Sequence, residues 1–116
     1  MIKHLCCLLV LSMMLGCAND PAPTAQLRLA EQAVTQARSV GASEQTPELA
    51  LAEKTLTAAV VAMKDRDYRA ARLLAEKAEL DARLAEARVL NEKSQQAVAE
   101  LNRRIARLRE QLGELQ

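Results

Sequence analysis

Hydrophobic residues along this chain fall into five successive stretches, and each predicts an element. Leu5–Leu15 is a nearly continuous apolar run. After a polar, proline-containing stretch, Leu27, Ala30, Val34 and Ala37 recur in steps of three and four. That spacing predicts a helix over 24–40, with Thr24 as its N-cap and Gly41 as its stop. Thr46-Pro47-Glu48 then reads as a helix start: a capping threonine, a proline at the first helical position, and an acid at the positive helix end. Leu49, Ala52, Leu56, Ala59, Val60 and Met63 continue at helical spacing to about Lys64. Asp65-Arg66-Asp67 is the predicted turn, with Asp67 as the cap of a third helix.

From Tyr68 the helical pattern meets no Gly or Pro before Gly113. Its first half carries Tyr68, Ala71, Ala75, Ala78, Ala82, Ala85 and Val89, a seam dominated by alanine. Such a seam lets a neighbour approach closely while burying little area per contact. Leu73, Leu74, Leu80 and Leu84 are expected to widen this face enough to meet two neighbours. The two shorter helices match residues 68–90 in length. The predicted fold is therefore all-α: an antiparallel three-helix arrangement with a long C-terminal helix extending as a coiled-coil-like tail. The expected layout is a leader at 1–16, a tether at 17–23, a helical bundle at 24–90 and a projecting tail at 91–116.

The tail begins with six polar residues, Asn91–Gln96, and then acquires a heptad seam: Val98, Leu101, Ile105, Leu108, Leu112 and Leu115. Extended backward, the seam takes in Ser94, Asn91, Ala87 and Leu84. The tail would project roughly 35 Å beyond the shorter helices at 1.5 Å per residue. An uncovered leucine stripe serves as an oligomer seam or a docking strip for another envelope protein, or stays a bare amphipathic end. In a parallel homodimer Arg104 at position g would face the partner's Arg109 at position e, which disfavours that pairing.

The N-terminal run has the layout of an export signal: Lys3 before it, eleven residues of apolar stretch, and small Gly16 after it. As a helix it would span roughly 16 Å against a hydrocarbon core of about 30 Å, too short to cross a membrane. Gly16-Cys17 at its end resembles the lipobox of bacterial lipoproteins. That resemblance implies cleavage before Cys17, acylation of its thiol, and anchoring by two or three chains, each buried CH₂ contributing about 0.8 kcal/mol. Met14 and Leu15 depart from the commonest lipobox residues. Ala18, rather than aspartate, after the cysteine implies sorting to the periplasmic face of the outer membrane. The alternative is an ordinary cut after Ala18, which releases a periplasmic protein without Cys17.

Removing residues 1–16 takes away Lys3, His4, Cys6 and Cys7 and leaves equal numbers of acidic and basic side chains. Without histidine, and with one cysteine, the remaining chain has no inventory for a disulfide framework or a His/Cys metal site. Balanced charge argues against nucleic acid as a partner. Glu76, Glu79, Asp81 and Glu86 interleave with Lys77, Arg83 and Arg88, the pattern of an ion-paired surface. Asp65 and Asp67 have turn and cap roles in place of a catalytic dyad, and Tyr68 reads as a staple at that turn. No catalytic, cofactor or metal residue is nominated, and the expectation is a protein that is not an enzyme. Arg103, Arg104, Arg107 and Arg109 are offset by Glu100, Glu110 and Glu114. They are read as a coiled-coil flank, with contact to peptidoglycan carboxylates or lipid phosphates a minor expectation.

Three pieces stand in order: Gly41-Ala42 with Pro47-Glu48-Leu49, then Ala59–Arg88 "AVVAMKDRDYRAARLLAEKAELDARLAEAR", then Ala97–Leu112 "AVAELNRRIARLREQL". Together they resemble the proteobacterial family of Ala-rich helical lipoproteins grouped under a domain of unknown function, over about residues 25–112. The stretch from Asp67-Tyr68 to Ala78 carries most of the likeness, and its turn is similar to that of a tetratricopeptide hairpin. Gln45 stands where relatives tend to place an aromatic residue. The resemblance implies a helical fold and an envelope address. Some relatives add an OmpA-like domain, which this sequence lacks, so peptidoglycan binding does not transfer. The expected role is a structural spacer or docking scaffold in the cell envelope, or else an adaptor or chaperone-like module that uses the Val98–Leu115 strip.

Overall fold

The computed structural model describes residues 21–114, so the expected export signal, Cys17 and Leu115 lie outside the described residues. Among the described residues three helices follow one another: α1 (Thr24–Ser39), α2 (Pro47–Lys64) and α3 (Tyr68–Glu114). At 47 residues α3 is about 70 Å long. Both α1 and α2 lie along its first half, and they touch each other least. The arrangement is a hairpin laid on one long helix.

Two clusters fix the directions. Ala30 of α1 and Ala59 of α2 meet Ala75 and Ala78 of α3. Val34, Ala37, Leu49 and Ala52 meet Ala82 and Ala85. Rising numbers along α1 match rising numbers along α3, so these two run parallel, and α2 runs antiparallel to both. Half-buried Leu56 touches both clusters and joins them. The alanine seam on α3 is as the sequence predicts: Ala71, Ala75, Ala78, Ala82 and Ala85 are all fully buried. Leu49 and Pro23 are the largest side chains that are fully buried.

Both connections use the same device. After α1, Gly41 has φ +106°. Its N–H donates to the Arg38 carbonyl, and that of Ala42 to the Ala37 carbonyl. These are the two bonds of a Schellman motif. Buried Ala37 and Ala42 supply its apolar contact. After α2 the same pair of bonds runs from Arg66 to Met63 and from Asp67 to Ala62. Here Arg66, at φ 61°, fills the left-handed position that glycine takes in the first turn. Asp67 then caps α3 as predicted, its Oδ1 accepting the N–H of Ala70 at 3.0 Å.

Three sequence expectations are corrected. Pro23, assigned to the tether, is fully buried and is itself the N-cap of α1, with Thr24 the first helical residue. The Thr46 side chain does not cap α2; its Oγ1 accepts the N–H of Ser43 at 3.2 Å and closes the preceding loop. Finally, Leu73, Leu80 and Leu84 do not widen the packed face of α3, for they are 59%, 67% and 56% exposed. Each lies two residues beyond a buried alanine, and 200° of helical rotation carries it to the far side.

Candidate docking surface

Beyond the bundle α3 continues without cover. Every side chain from 101 to 113 is exposed, and Glu100 is half-buried. The predicted seam residues Val98, Leu101, Ile105, Leu108 and Leu112 are between 46% and 64% exposed. On a helix these five share one stripe, flanked by Arg104 and Arg109. Glu100 holds much of the basic cluster in place on the helix itself. Arg104 Nε donates to its Oε1 at 2.9 Å, and Arg107 and Arg103 lie 3.5 and 3.9 Å from its carboxylate.

The stripe is longer than the tail. Stepping back by heptads from Val98 reaches Leu84, two heptads earlier, and then Leu80. Both are exposed on the face of α3 that points away from α1 and α2. With Val98 at position a, the buried alanines occupy b and f, opposite the seam. One helix thus carries two apolar stripes. Small residues face inward and are covered; large residues face outward and are bare.

The polar run Asn91–Gln96 has a structural task that the sequence did not disclose. It receives the α1–α2 junction. Lys93 Nζ donates to the Val40 carbonyl at 2.5 Å, a hydrogen bond from α3 to the C-terminal end of α1. Arg88 pairs with Glu48, in the first turn of α2, and with Glu92 on α3. Gln36 Nε2 donates to Glu86 at 3.1 Å, and Arg38 pairs with Glu53 at 2.8 Å. Gly41 is required here: a Cβ would lie 3.3 Å from Lys93 Nζ, and the backbone is in the glycine-favouring region. The signal that could have revealed this joint is a lone lysine inside the polar run, opposite a predicted helix end.

Glu48 is the carboxylate most perturbed by this geometry. A backbone hydrogen bond at the helix start is the largest cause and holds its pKa below 4.5. Burial opposes that shift, and hydrogen bonding and charge from Arg88 reinforce it. The same pairing raises the pKa of Arg88. Around the joint lies an open groove lined by Gly41, Thr46, Arg88, Lys93 and Gln96. Asp65 and Asp67 flank the turn, where Asp67 serves as the cap. Among the described residues no group of three or more His, Cys, Asp or Glu side chains could hold a metal ion, and no helix is long and apolar enough to cross a membrane.

A short helical hairpin packed by alanine against one long helix, with a leucine stripe left bare, defines an all-helical protein built round α3. The chain belongs to the family described as Domain of unknown function (DUF4398), which it matches over residues 25–101. It is similar to a DUF4398 family protein from Pseudomonas aeruginosa PAO1, known from a crystal structure at 2.47 Å. The two are 53% identical with a TM-score of 0.80, over 83% of this chain and 100% of that one. No curated protein matches the chain.

Proposed function

We propose that this protein is a lipoprotein anchored through Cys17 to the periplasmic face of the outer membrane, and that α3 serves there as a spacer and protein-docking scaffold. The observation that carries the reading is the uncovered second half of α3. Because α1 runs parallel to α3, the chain enters the bundle at the end opposite the tail. A lipid at Cys17 therefore leaves the tail pointing away from its attachment point. The bare stripe Val98–Leu112 is the surface that such a tail offers to a partner. The Gly16-Cys17 junction supports the anchor, and the polar residues after it supply a tether.

The second reading is a periplasmic adaptor or chaperone-like module that grips a client helix along the same strip. Truncation after Gln96 separates the two. A spacer keeps its fold, measured by thermal melting, and loses only reach. An adaptor loses its partner in a pull-down from crosslinked cells. For the anchor, acyl-chain labelling that disappears in Cys17→Ser is the expected result. An unlabelled mature chain beginning at Asn19 would overturn it.

A further inference from the structure

We propose that the outer stripe of α3 is covered by the same stripe of a second copy of this chain, running antiparallel, so that each tail lies over the back of the other bundle. The proposal deepens the scaffold reading and rests on it only in taking α3 as the docking element; it needs no lipid.

The heptad phase is the first argument. Val98 and Leu84 are both at position a, two heptads apart, and Leu80 is at d. The tail alone offers fewer than three heptads, too few for a durable coiled coil, whereas α3 from Lys77 onward offers more than five. The shorter helices cannot cover this stripe, because they occupy the b and f side through Ala71, Ala75, Ala78, Ala82 and Ala85.

Charge selects the direction. In a parallel, in-register pair each g residue faces the partner's next e residue. Glu76 would then meet the partner's Asp81, Arg83 the partner's Arg88, and Arg104 the partner's Arg109. All three contacts are between like charges, which are unfavourable at these flanks. An antiparallel pair sets e against e and g against g. The e positions are mixed in sign, with Asp81 acidic and Arg88 and Arg109 basic. Aligning Asp81 with the partner's Arg109 adds two ion pairs by symmetry to the one that each Asp81 already makes with Lys77 at 3.0 Å on its own helix. In that stagger Leu84 lies opposite the partner's Leu108, Leu80 opposite the partner's Leu112, and Ile105 opposite the partner's Ala87. Asn91 and Ser94 then sit near the two-fold axis, opposite the partner's Leu101 and Val98. Opposite apolar residues, these polar side chains lower the stability of the centre of the pair.

Area is consistent with a real but modest complex. Leu80, Leu84 and the five tail residues keep about half their surface in water. At on the order of 80 Å² each, counted on both copies, they supply about 1,100 Å², at the lower edge of stable interfaces.

The test uses residues 21–116, an extent comparable with the relative that folds and crystallises over 83% of this chain. That fragment has no cysteine. Gly113, with nothing within 4 Å of its Cβ direction, is replaced by cysteine and spin-labelled. At roughly 100 µM, a mid-micromolar regime for such an interface, dipolar spectroscopy should read a separation of about 50 Å, because Gly113 lies opposite the partner's Glu79. A separation under about 25 Å would mean a parallel pair or a tail-only overlap and would overturn the proposal. A monomer with unchanged helicity would also overturn it. Asp81→Arg should weaken the dimer about tenfold, and adding Arg109→Asp should restore it. Failure to acylate Cys17 would sink the anchor and leave all these readouts unaffected.

Discussion

Lys93 of α3 donates a hydrogen bond to the carbonyl of Val40, where α1 ends, and so fastens the hairpin to the long helix at the point where cover stops. The ammonium meets a carbonyl at the negative end of the α1 dipole, where a cation is favoured. Replacing Lys93 by Gln should cost about 1 kcal/mol and lower the melting midpoint by roughly 4–8 °C. Circular dichroism melting checks this, and an unchanged midpoint would show that the joint is held by the apolar contacts alone.

Ala78 of α3 is fully buried in the cluster it shares with Ala30 of α1 and Ala59 of α2, whereas Leu80 is two-thirds exposed on the opposite side. Ala78→Leu should force the helices apart and destabilise by about 2 kcal/mol or more. In dilute solution, where the chain is monomeric, Leu80→Ala should stay within about 0.5 kcal/mol. Equal effects in urea titrations would contradict the assignment of the two faces.

Arg66 occupies a left-handed conformation that costs an L residue on the order of 1 kcal/mol. Arg66→Gly should therefore stabilise the protein by up to about 0.5 kcal/mol, the relief of strain being partly offset by the freer unfolded chain, while leaving the Schellman bonds in place. A fall in stability would mean that the arginine side chain contributes more than its backbone strain removes.

Glu48 has a folded-state pKa below 4.5, chiefly through its backbone hydrogen bond and then through Arg88. A depressed carboxylate pKa gives stability that is present above the unfolded value and lost as pH falls through the folded one. The stability gap between the parent chain and Glu48→Gln should be constant near neutrality and shrink below about pH 4.5. Chemical denaturation at several pH values measures it. A gap that persists at pH 2 would refute the ionic role.

Much of this fold was written in local spacing. Pro47 after Thr46, Gly41, and the Asp67 cap marked the helix ends, and the alanines from Ala71 to Ala85 marked the covered face. The destination of Leu73, Leu80 and Leu84 escaped. Two apolar stripes on opposite sides of one helix leave little net amphipathicity, so periodicity alone could not say which stripe meets α1 and α2. Packing decided it: the closer approach allowed by alanine won over the larger area offered by leucine. Lys93 escaped for a different reason, since its partner is a backbone carbonyl more than fifty residues away in sequence. The exposed stripe from Val98 to Leu112 follows the heptad spacing directly, because no described helix packs against it, and Leu115 lies outside the described residues.

The spacing between Leu84 and Val98 has a mechanical consequence. One residue inserted between them would turn everything beyond it by 100° about the helix axis. The bundle would keep its alanine contacts and the tail would keep its own leucines, yet the two halves of the stripe would no longer share a side. A seven-residue insertion would lengthen the rod and restore the alignment to within about 20°. The molecule can thus tolerate changes in length here only where the added residues make nearly whole turns, as seven or eleven do, so α3 acts as a keyed shaft as well as a strut.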